Sequence, residues 1–88
     1  MTNLHTVVIR PEFGTYRFDL SHFYKTLGVT TDSYGKIIVV YLQDPSLDTK
    51  EVIFNVFDMG DTVPPRLNYL GSVSPNIGQL FHVFIQGE

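Results

Sequence analysis

Apolar residues in this chain recur with the two-residue period of β-strands and only once with the spacing of a helix. Residues 4–10 (LHTVVIR) read as a first strand, ended by the turn Pro11-Glu12-Phe13-Gly14. Residues 15–20 (TYRFDL) alternate cleanly, with Tyr16, Phe18 and Leu20 on one side and Arg17 and Asp19 on the other. The two segments form a candidate hairpin. Residues 36–42 (KIIVVYL) and 51–57 (EVIFNVF) are strands with apolar residues on both faces. Residues 69–73 give a short strand, and the turn Pro75-Asn76-Ile77-Gly78 leads into the last one. In that last strand Leu80, His82 and Phe84 point one way and Phe81, Val83 and Ile85 the other, so both faces need cover.

The helical spacing falls in residues 21–27 (SHFYKTL). Asp19 or Ser21 can cap a helix, Phe23 and Leu27 are four apart, and Gly28 suits the position past its end. Two turns at most are expected there. Residues 29–35 read as a polar turn region and residues 43–50 as a hairpin-type loop around Pro45. Residues 58–66 form a stiff connector with Gly60 and Pro64-Pro65. The chain is therefore expected to be one domain over residues 1–88. It is mainly β, or α+β if the helix forms: a small antiparallel meander sheet or a barrel-like sandwich of about six strands with a short helix near 21–27.

Three strands apolar on both faces are more than a small monomer covers. A large bare apolar patch is uncommon on soluble monomers, so a homo-oligomer is expected, a dimer foremost. Composition narrows the chemistry. The 88 residues include no cysteine, which excludes disulfides, thiolate metal sites and cysteine nucleophiles. Net charge is −3 with no basic stripe, so a duplex nucleic-acid partner is not expected. The amino terminus lacks the pattern of a secretion signal and no apolar run is long enough to span a bilayer, so a cytoplasmic protein without membrane contact is expected.

Candidate chemistry is sparse. His5, His22 and His82 show no metal-ligand spacing, and Asp44, Asp48, Asp58 and Asp61 fit turns better than a hard-cation loop. No catalytic set, metal or cofactor is expected. Three residues stand out as candidates for contact with a ligand or partner: Arg66 beside the rigid prolines, Tyr69, and His82 among aromatics. Against each stands a simpler role: a solvated loop arginine, a core tyrosine, and a histidine satisfied by the backbone.

The segments FNVFDMG (54–60), VPP (63–65), YLGSV (69–73) and LFHVF (80–84), with the apolar strand 37–42 and Asp44-Pro45, resemble a family of small proteins of unknown function from tailed bacteriophages and prophages. The resemblance covers roughly the last 50 residues. The chain departs from the family pattern in having no tryptophan and in placing Asp-Met-Gly where Thr-Gly is commoner. The family brings no activity. Its context implies a non-catalytic accessory protein that binds and inhibits a host component, in host takeover or anti-defence. Two alternatives remain open: an oligomeric sponge in which Arg66 and aromatics hold a small anionic nucleotide signal, and a structural virion component.

Overall fold

The alternation along each strand resolves into two inward faces that share one core. In a computed structural model, which describes residues 1–76 and 78–87, the strands are β1 (Asn3–Ile9), β2 (Gly14–Ser21), β3 (Tyr24–Thr31), β4 (Ile37–Gln43), β5 (Thr49–Phe57), β6 (Leu67–Val73) and β7 (Phe81–Gln86). They pair antiparallel in two sheets, ordered β1-β4-β3 and β2-β5-β7-β6. Val7 and Ile9 of β1 and Ile37, Val39 and Tyr41 of β4 line the first inner face. Leu20 of β2, Val52, Phe54 and Val56 of β5, and Phe81, Val83 and Ile85 of β7 line the second. The molecule is 16 Å across its shortest dimension, as two layers about 10 Å apart require. On one side β3 and β6 approach without hydrogen bonding. They meet at Gly71 and Val29, where a Cβ on Gly71 would sit 3.7 Å from the Cβ of Val29, an ordinary contact. The sheets draw together at this seam but do not close into a barrel.

The mainly β expectation holds, and four of its details are corrected. The helix near 21–27 is absent. β2 runs through Ser21, and β3 begins at Tyr24 and pairs with β4 from Tyr24↔Gln43 onward. A bulge at Leu27 interrupts the pleat of β3, and the four-residue spacing of Phe23 and Leu27 is compatible with the two-residue period of a strand as well as with a helix. Two helical turns nucleate poorly, whereas pairing with β4 gives one edge of this threonine-rich segment a hydrogen-bonded partner. β3 also absorbs residues 29–31, raising the number of strands to seven.

Strands β1 and β2 do not form a hairpin, because β1 pairs with β4 and β2 with β5. The 43–50 connection likewise crosses between sheets, so the order is not a meander. The turn placed at 75–78 includes Ile77, which lies outside the described residues, although β6 and β7 do pair antiparallel as it implies.

The two crossings β2–β3 and β4–β5 meet at one end of the sandwich, and Ser21 ties them. Ser21 is buried at 1% exposure, and its hydroxyl donates to the Asp44 carbonyl at 2.5 Å while accepting from the Phe23 N–H at 3.2 Å. Its own N–H donates to Gln43 Oε1 at 3.1 Å, and Asp44 N–H donates to the Phe23 carbonyl at 3.2 Å.

Asp44 also holds the start of its connection, where its Oδ1 accepts from the Ser46 hydroxyl at 2.6 Å and the Ser46 N–H at 3.0 Å. These bonds from Ser46 hold the Asp44 carboxyl below its ordinary pKa. Its contribution to stability is therefore full above the unfolded-state value near 3.9 and disappears as pH falls through the lower folded-state value. Urea denaturation across pH 6 to 2 should show a shallower acid loss for Asp44→Asn than for the parent. Curves of equal slope would remove Asp44 from the acid response.

Candidate functional site

β5, β7 and β6 turn a second set of side chains outward, on the face of the four-stranded sheet away from the core. The register places Phe57 opposite His82, Tyr69 opposite Phe84 and Ser72 opposite His82. Phe57 and Phe84 meet edge to face with centroids 5.4 Å apart, and Tyr69 lies against Phe84 at 5.3 Å. Tyr69 and Ser72 are three residues apart, a separation that in a regular strand points side chains to opposite faces. A bulge at Leu70 reverses that. Leu70 packs against the core, and Tyr69 and Ser72 come to the same outer face.

There they form a hydrogen-bonded chain. Tyr69 Oη lies 2.5 Å from Ser72 Oγ, which lies 2.6 Å from His82 Nδ1. Ser72 has one proton to give. Either Tyr69 donates to Ser72 and Ser72 to His82, or the chain runs the other way. In both cases the far nitrogen of the ring, Nε2, is buried without a hydrogen-bond partner among the described residues. An unsatisfied buried polar atom costs about 1–3 kcal/mol.

The connector between β5 and β6 folds back over this face and supplies its cover. Asp61 Oδ2 accepts from the Asp58 N–H and Asp58 Oδ1 from the Met59 N–H, both at 2.8 Å, and Gly60 takes φ of +90° between them. The two acids thus build a tight turn. Between the turn and the sheet lies a cleft of about 170 Å³, walled by Phe57, Met59, Val63 and Phe84 with His82 in its lining and Asp58 and Asp61 at the turn.

Of the residues singled out in the sequence, Tyr69 and His82 are brought together through Ser72. Arg66 is not; it is exposed in the connector and does not line the cleft. Tyr69 is 57% exposed and is no core tyrosine, and His82 bonds a side chain where backbone was the simpler expectation. Ser72, Phe57 and Met59 were missed. Gly71 was the available signal, since a glycine inside a strand pattern marks a bulge. Elsewhere His5 stacks on Tyr41 at the open end of the core, with centroids 5.9 Å apart. No group of three or more histidine or acidic side chains among the described residues is placed to hold a metal ion.

The Ser72 hydroxyl is shared between Tyr69 and His82, and Asp58 and Asp61 each lend one carboxylate oxygen to the turn. The arrangement links three side chains, of which His82 lines the small aromatic cleft. The class defined by fold and site is an all-β sandwich of two antiparallel sheets with a covered aromatic outer face. No family model matches the chain, and neither a curated protein nor a solved structure matches it significantly. No helix among the described residues is long and apolar enough to cross a membrane.

Proposed function

We propose that this chain is a non-catalytic accessory protein of the bacteriophage type, acting in the host cytoplasm by binding and inhibiting a host protein through the outer face of its four-stranded sheet. The observation that carries this reading is the cleft beside the Tyr69–Ser72–His82 chain. Three of the stretches that resemble the phage family (54–60, 63–65 and 80–84) contribute to its lining, and the fourth (69–73) pairs with β7 beside it. Exposed Tyr69 and Met59 flank pre-oriented aromatic rings, the residue types from which binding hot spots are built.

Size selects the kind of partner. Sites for drug-sized ligands run from about 300 to 1,000 Å³. A cleft of about 170 Å³ suits one inserted side chain of a protein better than a whole nucleotide. The nucleotide-sponge alternative also needs a cation beside the rings, and Arg66 lies outside the cleft.

Affinity capture from a bacterial host lysate, with the parent protein beside Met59→Glu/Tyr69→Ala, tests the reading. Both positions are more than half exposed, so the fold survives the change. A host protein held by the parent and released by the double variant, and bound directly once purified, is the expected result. Identical captures by both forms, or co-purification with phage particles alone, would overturn it.

A further inference from the structure

The lining of the cleft under the connector has a chemistry of its own. Phe57 and Phe84 stand at 79° to one another, so two differently oriented rings border one space. The polar side chains of the lining are Asp58, Asp61 and His82. Each has an acceptor to spare. Asp58 and Asp61 give one carboxylate oxygen apiece to the turn, and the ion pairs among the described residues use Asp44, Glu12 and Glu51 instead. The Nε2 of His82 is an acceptor when Nδ1–H donates to Ser72. No lysine or arginine among the described residues lines the cleft.

We propose that this cleft is a receptor for an arginine side chain presented by a protein partner. The inference rests on the host-binding reading of the same cleft and names the residue that the host inserts. Aromatic rings beside carboxylates attract a cation, by the ring quadrupole and by charge. Acceptors on several sides call for a group that only donates, and the guanidinium is such a group, with five N–H donors in a planar fork. It is also more weakly hydrated than the ammonium of lysine, so it gives up less on entering an apolar space. Met59 and Val63 offer apolar walls for the methylene stem, contact that the Met59→Glu/Tyr69→Ala form gives up whatever its charge. An anionic side chain would meet the two acids, and a purely apolar one would shield them from water without pairing them.

Titration of the full chain with N-acetyl-arginine N-methylamide, followed by NMR, tests this without a host protein. Shifts should gather on Phe57, Met59, Val63 and Phe84 and saturate with a dissociation constant on the order of 1–10 mM, as one side chain without the rest of an interface allows. The citrulline derivative has nearly the same shape and no charge, and should bind at least about fivefold more weakly. The lysine and leucine derivatives should also bind more weakly than arginine. Asp58→Asn/Asp61→Asn keeps a side-chain oxygen for each turn bond and removes both charges. It should hold arginine at least about fivefold less tightly, with citrulline changed by less than about twofold.

Citrulline bound as well as arginine, lysine or leucine bound as tightly, shifts gathered elsewhere, or an asparagine form that holds arginine like the parent would each overturn the proposal. The two readings fail separately. A host protein captured by the parent, with the arginine derivative unbound, would keep the host-binding face and remove the arginine. Arginine held in the cleft with no host protein captured would do the reverse.

Discussion

Phe54→Ala should cost about 3–5 kcal/mol and lower the melting temperature by tens of degrees, the largest effect expected of a single core truncation here. Phe54 has no exposed surface and sits on β5, a central strand of the four-stranded sheet. It pairs across to Tyr16 on β2 and Ile85 on β7, and the ring of Phe18 meets it edge-on with centroids 5.9 Å apart. Removing the ring leaves a cavity walled by two rigid sheets, which cannot collapse into it as a loop could. A domain of this size holds about 4–13 kcal/mol in all, so the variant should stand near the limit of folding at 37 °C. Thermal and urea unfolding followed by circular dichroism measure this. A loss below about 1 kcal/mol would mean that Phe54 is not the joint between the sheets.

The inward face of β2 was legible because strand alternation records burial directly: Tyr16, Phe18 and Leu20 need no knowledge of their partners to be placed. β4, β5 and β7 were legible as strands, but with apolar residues on both sides the sequence did not say which side faces the core. Pairing was not legible. Neither the Pro11–Gly14 turn nor the Pro45 loop states whether the chain folds back into the same sheet or crosses to the other. That choice depends on how much apolar surface each arrangement buries across the whole domain. The false helix at 21–27 has a local cause, since a four-residue spacing such as that of Phe23 and Leu27 fits the two-residue period of a strand as well as the turn of a helix.

A bulge hid the site. Tyr69 and His82 could be noticed for their residue types, but the bulge at Leu70 is what lets Ser72 join them, and a bulge needs the partner strand before it can be located. Both faces of the last strand were expected to need cover. On the outward face it comes from the connector itself, whose acids Asp58 and Asp61 act as turn builders. Arg66, two residues before Asn68 and close to Tyr69 in sequence, is separated from the cleft because Leu67 begins β6 and directs the strand past it.

His82→Phe should stabilise the protein by about 1 kcal/mol while weakening partner binding. Phenylalanine keeps a ring in the lining beside Phe57 and Phe84, has room beside it in the cleft, and removes the buried Nε2 that has no partner among the described residues. Ser72→Ala alone should act in the opposite sense, costing about 1–3 kcal/mol, because it leaves His82 with neither ring nitrogen paired. Combined with His82→Phe, the serine substitution should cost little, since no imidazole remains to be deprived and the exposed Tyr69 hydroxyl can turn to water. The two changes are therefore non-additive, with an interaction term of about 1 kcal/mol or more in a double-mutant cycle read by urea unfolding. Equal cost of Ser72→Ala in both backgrounds would show that the Ser72–His82 bond contributes nothing. A gain in stability joined to a loss of binding would show that the unsatisfied imidazole is kept for the partner, since positions that give up stability without structural return are where natural chains carry function.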